Sequence, residues 1–328
     1  MSSAVGRSIS LIVDERRQDR LLGIDCWYPA LGGDYSESVY ELLPGIGFTS
    51  SALADAPAAV GPHPLVVWSH GRSGTRSSYS MLCEGLAARG YVVIAPDHPG
   101  DTLADWLLGA AVDDATNETQ RVDDARFVID AALGDRPGLA LIPEIDAARV
   151  AVAGHSYGAF TAFALAGAEP DDERVRGVAG LQSFTRNLSD RVLAHINVPT
   201  LMVAGARDLT TPTATDADRA FAVLAGKHAR RIGIEHAGHQ ACSDVGLYLE
   251  LAPRAQGLPD FVRDFLESLA DQITGRAGDP WRPTVGLHLR ILGAWLDELF
   301  DRDRDGARRE LDDVANTTGV EMLPVVTG

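Results

Sequence analysis

One stretch near the middle of the chain, residues 150–163, constrains the fold more than any other. It reads Val150-Ala-Val-Ala-Gly-His-Ser-Tyr-Gly-Ala-Phe-Thr-Ala-Phe163, a β-branched apolar run followed by a run of small and apolar residues. The spacing G-x-S-x-G between the two runs permits a sharp turn from strand to helix, because a side chain at Gly154 or Gly158 would collide with neighbouring backbone. We therefore predict a strand, a tight turn with Ser156 at its tip, and a helix.

This turn also predicts a chemical role for Ser156. At the tip of the turn the hydroxyl stands clear of the sheet, and the N-terminus of the following helix favours negative charge beside it. A serine hydroxyl alone is a weak nucleophile; it needs an adjacent base, and the base needs a carboxylate to orient it. A nucleophilic Ser156 therefore requires an acidic residue and a histidine elsewhere in the chain.

The acid is expected in a loop at the carboxyl end of a strand, where parallel sheets carry their chemistry. The apolar run at residues 200–204 leads directly into such a loop, which contains Asp208. We favour Asp208 for this reason and keep Asp216 and Asp244 as alternatives.

The base is expected after the next strand, at residues 230–235. His236 abuts that strand, whereas the small, flexible Ala237-Gly238 step lets His239 reach back toward the serine. We therefore favour His239, with His236 as its competitor. The order serine, aspartate, histidine is that of α/β hydrolases.

Cleavage through a tetrahedral intermediate needs two preorganised N–H donors for the oxyanion. The backbone N–H of Tyr157, directly after the nucleophile, is the first. The second is expected in the loop after the strand at 64–68, where we favour the N–H of Arg72 over those of Gly71 and Ser73. The spacing leaves two roles open for the Arg72 side chain, which is either solvated or meets an anionic group of the substrate.

The rest of the chain alternates short apolar strands with helical patterns, which predicts an α/β fold with a mostly parallel central sheet and helices on both faces. Residues 8–13 and 21–27 read as an N-terminal antiparallel hairpin, and residues 30–62 read as a long surface excursion. We predict one domain over residues 1–328. Residues 243–283 form a possible insertion within it that either shapes the rim of the active site or only covers the edge of the sheet. The charged run Asp301–Arg309 reads as a solvated helix end.

Composition excludes several classes of partner. The formal net charge is −17, from 46 acidic and 29 basic residues, which argues against nucleic acid and anionic membrane surfaces. The start of the chain has no apolar signal segment and no run reaches membrane-spanning length, so we expect a cytoplasmic protein without a membrane span. The three cysteines (Cys26, Cys83 and Cys242) are widely spaced and suggest neither a disulfide framework nor a metal site. We expect no cofactor and no metal, and we make no prediction of the oligomeric state.

Several of these motifs recur together in a known family. They are Trp68-Ser-His-Gly71, Ala95-Pro-Asp-His-Pro-Gly-Asp-Thr102, Gly154-His-Ser-Tyr-Gly158, Gly205-x-x-Asp208, Ala237-Gly-His239 and the early Asp25-Cys-Trp-Tyr-Pro-Ala30. In their order along the chain, these motifs resemble those of bacterial α/β hydrolases related to platelet-activating-factor acetylhydrolase, a group also labelled predicted dienelactone hydrolases. Polyester hydrolases and cutinase-like esterases are similar in the same elements. The resemblance covers about residues 9–245 and implies the α/β-hydrolase fold.

The resemblance implies Ser156, Asp208 and His239 as a catalytic triad, the N–H groups of Arg72 and Tyr157 as an oxyanion hole, and no metal. True dienelactone hydrolases use a cysteine where this chain has Ser156. The sequence thus predicts a serine carboxylesterase that cleaves a small-molecule ester through an acyl-enzyme. An amidase or lactone hydrolase with the same triad is the alternative, and a non-catalytic binding protein of this fold is a further one.

Overall fold

A computed structural model describes residues 4–43, 46–134, 139, 143–224, 228–254, 259–275 and 280–323. Within these residues eleven strands form a single sheet in the order β11-β10-β9-β8-β7-β5-β6-β2-β1-β4-β3. The strands are β1 Ala4–Asp14, β2 Arg20–Ala30, β3 Glu37–Leu43, β4 Ile46–Ala54, β5 His63–Ser69, β6 Val92–Pro96, β7 Ile145–His155, β8 Val175–Leu181, β9 Thr200–Gly205, β10 Ala229–Ile234 and β11 Val320–Leu323. The helices are α1 Ser80–Ala88, α2 Leu103–Leu107, α3 Asp114–Leu133, α4 Tyr157–Ala166, α5 Asp190–His195, α6 Ala217–Val223, α7 Val245–Leu251, α8 Asp260–Ser268, α9 Asp271–Thr274, α10 Arg282–Leu299 and α11 Arg304–Ala315.

The centre of the sheet is parallel, as the alternation of strands and helices predicts. Strands β6, β5, β7, β8, β9 and β10 all run in one direction. Their loops at the carboxyl ends therefore meet at one edge, where a doubly wound sheet places its binding site. The predicted α/β fold class is confirmed.

The two faces of the sheet carry separate cores because successive residues of a strand point to opposite sides. In β5, Leu65 and Val67 belong to a cluster that includes buried residues of α3, α4, α5 and α6. Val66 and Trp68 belong to a second cluster with buried residues of α1, α10 and α11. The central strands are consequently apolar on both faces, which explains why they read as continuous apolar runs.

The N-terminal hairpin is confirmed. Strands β1 and β2 pair antiparallel from Ala4 opposite Ala30 to Asp14 opposite Arg20. Asp14 accepts a hydrogen bond from the N–H of Arg16 and so closes the turn between the two strands. The hairpin joins the central sheet through the antiparallel pairing of β2 with β6.

The prediction that residues 30–62 are only a surface excursion is wrong. Strands β3 and β4 form a second hairpin in this region, and β4 pairs with β1 over two residues. The register shifts twice between β3 and β4, which breaks the alternation of apolar and polar residues in the sequence. The final β11, antiparallel to β10, was likewise not predicted.

The segment after the last parallel strand is helical. Helices α7, α8 and α9 fall within the predicted insertion at 243–283, although residues 255–258 and residues 276–279 of the predicted turn at 275–283 lie outside the described residues. The charged run near residue 301 leads into α11, whose Leu311 and Val314 are buried, so this helix is more than a solvated end. Among the described helices, none is both long enough and apolar enough to cross a bilayer.

Candidate active site

The turn between β7 and α4 has the strained geometry that the glycine spacing predicts. Ser156 has φ 53° and ψ −117°, a conformation that L-residues rarely adopt. A Cβ on Gly158 would lie 1.9 Å from the carbonyl oxygen of Ser69, and one on Gly154 would lie 2.4 Å from the backbone of Gly158. Only glycine fits at either position, since the two backbones approach within the space of a methyl group.

The structure brings Ser156, His239 and Asp208 together in one hydrogen-bonded chain. Oγ of Ser156 lies 2.9 Å from Nε2 of His239, and Nδ1 of His239 lies 2.8 Å from Oδ2 of Asp208. Because a carboxylate only accepts, Nδ1 carries the proton and Nε2 is left free to accept from the serine. All three side chains are buried. They come from the carboxyl ends of β7, β9 and β10, as expected.

The Asp208 carboxylate is held by its own loop as well as by the histidine. Its Oδ1 accepts the N–H groups of Thr210 and Thr211, and its Oδ2 lies 2.5 Å from the Thr211 hydroxyl. Burial alone would raise the pKa of Asp208, but hydrogen bonds from His239 and Thr211 outweigh it and lower the pKa below its ordinary value. The carboxylate is therefore ionised at neutral pH.

The alternative residues for the acid and the base, which are Asp216, Asp244 and His236, have other partners. Asp216 accepts hydrogen bonds from Thr185 and Arg186, and Asp244 accepts the N–H and hydroxyl of Ser80 at the start of α1. His236 is half-exposed, and its Nδ1 lies 2.8 Å from the Arg207 guanidinium. None of these side chains contacts Ser156, so the geometry favours Asp208 and His239.

The loop after β5 lies beside the serine, and its N–H groups differ in availability. The N–H of Gly71 donates to the Tyr79 hydroxyl at 3.1 Å, and that of Ser73 donates to Asp101 at 3.3 Å. Within the described part of the chain the N–H groups of Arg72 and Tyr157 have no acceptor. These are the two N–H groups that the sequence favours as oxyanion donors.

The Arg72 side chain is engaged within the protein. Its Nη2 lies 2.6 Å from Asp114, and its guanidinium stacks over the Tyr157 ring with Cζ 4.3 Å from the ring centroid. The Tyr157 hydroxyl in turn donates to Glu118. The Arg72 charge is therefore already compensated, which argues against the open alternative that it meets an anionic substrate group.

A relay of buried hydrogen bonds joins the loop after β5, the turn at Ser156 and the loop of His239, and the sequence motifs do not predict it. Tyr79 donates to Nδ1 of His155 at 2.7 Å, and Nε2 of His155 lies 2.6 Å from the carbonyl oxygen of His239. Burial, together with the charge of His239, lowers the pKa of His155 to about 3, so its imidazole is neutral and carries its proton on Nε2. His155 occupies the first variable position of G-x-S-x-G. This position beside the serine is the one feature of the sequence that could have indicated a role for His155 in the site.

A buried ion pair supports the same loop from behind. Arg121 is fully buried and donates to the carbonyl oxygen of His70, to Asp101 at 2.8 Å and to Thr161 at 3.1 Å. Asp101 also accepts the N–H of Ser73, so the pair holds both ends of the segment 70–73. The sequence offers no signal for this contact, because the partners are distant in the chain.

The Asp-His-Pro-Gly turn has a structural role. His98 is buried, its Nδ1 lies 3.1 Å from Asp124, and its backbone N–H donates to Nε2 of His70. Asp97 pairs with Arg76. Neither His98 nor Asp97 lines the cavity at Ser156.

A cavity of about 330 Å³ opens at Ser156 and His239. Part of its wall comes from the helical segment after the histidine, through residues of α7, α8 and α9. Among the alternatives left open for 243–283, the structure favours the one in which this segment shapes the active-site region.

Backbone hydrogen bonds fix this segment to the loop of His239. The N–H of Gly238 donates to the carbonyl oxygen of Ile273 at 2.9 Å, and that of Gln240 donates to Gln272 at 2.6 Å. A Cβ on Gly238 would lie 2.4 Å from the carbonyl oxygen of Gln272. Gly238 is thus required for this close approach, a reason that the sequence did not provide.

In the described residues, no group of three or more His, Cys, Asp or Glu side chains is arranged to hold a metal ion. Cys26, Cys83 and Cys242 are free and buried, and burial raises the pKa of each thiol. They are not reactive nucleophiles in this state.

Comparison with known proteins finds relatives that are named as esterases. A family model described as chlorophyllase matches residues 47–175, which include Ser156 but end before Asp208. A probable 1-alkyl-2-acetylglycerophosphocholine esterase of Arthroderma benhamiae is 31% identical over 108 residues, covering 29% of this chain and 25% of the relative. A cutinase of Thermobifida alba is 30% identical over 150 residues, covering 46% of this chain and 44% of the relative. The chain thus matches less than half the length of these curated relatives.

The solved structure of a ferulic acid esterase from Streptomyces cinnamoneus superposes with a TM-score of 0.74 at 24% identity and covers 99% of this chain and 97% of that one. This chain has the α/β-hydrolase fold. The predicted resemblance is also confirmed, because two relatives of this chain are named as a probable acetylglycerophosphocholine esterase and a cutinase.

Proposed function

We propose that this α/β hydrolase is a serine carboxylesterase that cleaves its substrate through an acyl-enzyme intermediate. The observation that carries the proposal is the chain of hydrogen bonds from Ser156 through His239 to Asp208, 2.9 Å and 2.8 Å long, at the mouth of a cavity. The esterase names of the relatives support the same reaction class.

In the first step His239 Nε2 takes the proton of the Ser156 hydroxyl as Oγ attacks the ester carbonyl carbon. The carbonyl π bond opens and its oxygen becomes an oxyanion. Asp208 holds the imidazole in the tautomer that can accept this proton and stabilises the imidazolium that forms. Its low pKa supports this role, because a protonated acid would not stabilise the cation.

The oxyanion is stabilised by the N–H groups of Arg72 and Tyr157, which have no other acceptor in the described residues. The first residues of α4 add the favourable field of a helix N-terminus. Donors fixed in advance lose nothing by reorganising during the reaction, which is why such sites accelerate acyl transfer.

The intermediate then collapses as the bond between the carbonyl carbon and the alcohol oxygen breaks, and the imidazolium donates its proton to the leaving alkoxide. The acyl group remains on Ser156 Oγ. His239 then takes a proton from a water molecule as the water oxygen attacks the acyl carbonyl carbon. The bond from that carbon to Ser156 Oγ breaks, the imidazolium returns the proton to Oγ, and the carboxylic acid is released.

A fluorophosphonate probe tests the nucleophile directly. We expect one adduct, mapped to Ser156 by peptide mass spectrometry, and turnover of p-nitrophenyl butyrate that disappears in Ser156→Ala. Ser51→Ala, at an exposed serine of β4, serves as the matched control and is expected to keep full activity. Full activity in Ser156→Ala would overturn the proposal.

The base is tested by a histidine pair. His239→Ala is expected to lose turnover and probe labelling, whereas His236→Ala, three residues away and half-exposed, is expected to retain both. The reverse result would identify His236 as the base.

A further inference from the structure

The cavity at Ser156 is small, and several apolar side chains line it. Its volume of about 330 Å³ lies at the lower end of the range for ligand pockets. The apolar side chains of its wall are Leu103 of α2, Val245 of α7, and Phe265, Leu266 and Leu269 on or next to α8. A group that fills this space must be compact and largely apolar.

Within the described lining, no unpaired charged side chain is available to a charged group of the substrate. Among the described residues that line the cavity there is no Asp, Glu or Lys, and the guanidinium of Arg72 is already paired with Asp114. His239 is held by Asp208. A charged group that enters this space loses part of its hydration and gains no unpaired counter-charge in return. The net charge of −17 adds a general repulsion of anions.

Helix α8 forms part of the wall of this cavity. Val262, Phe265, Leu266 and Leu269 follow the spacing i, i+3, i+4, i+7 and so share one face of the helix. Val262 and Leu266 are buried against Tyr248 of α7 and Ala252 directly after it, which anchors α8 to α7 and to the turn that follows α7. Phe265 and Leu269 lie at the edge of that face and line the cavity without being fully buried.

We propose that the cavity selects neutral esters that carry a compact apolar group on one side of the scissile bond, and that Phe265 and Leu269 set the length of that group. This inference rests on the proposed esterase function and names the substrate class of the same site. It also assigns a specificity role to two residues outside the catalytic constellation.

Two series of substrates measure the preference. The first varies the acyl group in p-nitrophenyl acetate, butyrate, hexanoate, octanoate and laurate, and the second varies the alcohol in methyl, butyl, hexyl and octyl butyrate. On the side that enters the cavity, kcat/KM is expected to rise about fourfold for each methylene that is buried and then to stop rising when the cavity is full. The series that shows this break identifies the acyl or the alcohol side.

Variants of α8 then test the residues. Phe265→Ala and Leu269→Ala are expected to move the break to a longer chain, and Phe265→Trp to a shorter one. Phe261→Ala is the matched control: Phe261 lies one turn earlier on α8, is 60% exposed and does not line the cavity, so its profile is expected to match the unmodified protein. An unchanged break in both alanine variants, or an equal shift in Phe261→Ala, would overturn the assignment.

Charged and neutral esters of equal length test the proposed preference for neutral substrates. Mono-p-nitrophenyl succinate and p-nitrophenyl butyrate have acyl groups of the same length, and the charged ester is expected to have a kcat/KM lower by about a hundredfold or more. The p-nitrophenyl ester of trimethylglycine provides the cationic case and is expected to react as poorly. Equal or faster turnover of either charged ester would contradict the proposal.

Failure of the function and failure of the inference give different results. If no ester is turned over and Ser156 is not labelled by the fluorophosphonate, the esterase proposal fails. If esters are turned over through Ser156 but chain length and charge have no effect, only the substrate class and the role of α8 are wrong.

Discussion

The phenol of Tyr79 donates to Nδ1 of His155 at 2.7 Å while accepting the N–H of Gly71 at 3.1 Å. One hydroxyl thereby ties the loop after β5 to the turn that carries Ser156. Since the other nitrogen of His155 lies 2.6 Å from the backbone carbonyl of His239, the relay reaches the loop of the proposed base as well. Three loops from separate strands share one set of buried hydrogen bonds.

Tyr79→Phe is expected to weaken catalysis more than binding. The ring still packs against Trp68, but the N–H of Gly71 and the Nδ1 of His155 lose their partner inside the protein. We expect kcat to fall about tenfold with KM nearly unchanged, and the free energy of unfolding to fall by about 1–3 kcal/mol. Steady-state kinetics and urea denaturation measure the two effects, and an unchanged kcat would show that the relay does not position the site.

Gly158→Ala is expected to prevent the native turn. The added Cβ would lie 1.9 Å from the carbonyl oxygen of Ser69, so either β5 or α4 must shift. We expect little folded protein and no activity in what folds. Gly286→Ala is the matched control: this glycine lies in α10 with nothing within 4 Å of its added Cβ, so a gain of about 1 kcal/mol in stability is expected. Thermal unfolding compares the two, and a stable, active Gly158→Ala would refute the steric argument.

Asp208→Asn is expected to lower kcat by about four orders of magnitude without loss of the fold. An amide nitrogen in place of Oδ2 would face Nδ1 of His239 and favour the wrong tautomer. Asp216→Asn changes an aspartate that binds Thr185 and Arg186 instead, and per folded molecule its kcat is expected to stay unchanged. Kinetics on protein whose folded fraction is measured by circular dichroism separates the two; equal losses would reject Asp208 as the orienting acid.

Asp101→Ala is expected to lower the free energy of unfolding by about 3–5 kcal/mol, because it leaves the guanidinium of Arg121 buried without its counter-ion. Combining Asp101→Leu with Arg121→Met removes both charges and is expected to recover much of that loss. The double variant still lacks the contacts to Ser73 and His70, so its kcat is expected to remain low. If it regains full kcat, the ion pair serves stability alone.

Acid is expected to destabilise the protein through its buried histidines. Burial lowers the pKa of His98 and His288 to about 4 and, with the charge of His239, that of His155 to about 3, all below the ordinary 6.5. As the pH falls from 6.5 toward 4, these histidines bind protons in the unfolded chain but stay neutral in the native state. The stability that they contribute above pH 6.5 is therefore lost. Each histidine contributes up to about 1.4 kcal/mol per pH unit within this window. Urea denaturation at a series of pH values measures the slope, and a constant free energy of unfolding below pH 6.5 would contradict it.

The elements that the sequence predicted well are those whose evidence is local. The turn at Ser156 is dictated by two glycines that leave no room for a side chain, and the central strands are apolar on both faces. Asp208 and His239 each lie in the loop that directly follows such a strand. The structure brings both to Ser156, while their roles in catalysis stay predictions until they are tested.

The elements that escaped prediction depend on distant partners. Strands β3 and β4 lie at the edge of the sheet, where register shifts interrupt the alternating pattern. Arg121 lies about fifty residues from the loop that it supports, and only the folded chain brings it to His70. The choice among Asp208, Asp216 and Asp244 also required tertiary structure, since each carboxylate is buried with its own set of donors.

The hydrogen bonds from the Gly238 and Gln240 backbone to α9 have a consequence for protein engineering. The segment α7–α9 cannot be exchanged between homologous proteins as an independent unit, because the backbone of α9 accepts hydrogen bonds from the loop that carries His239 and so helps to fix the conformation of that loop. A graft that imports a foreign segment would have to carry residues 236–275 together. Within this chain, selectivity is better altered by single side chains of α8 than by transplanting the segment that bears them.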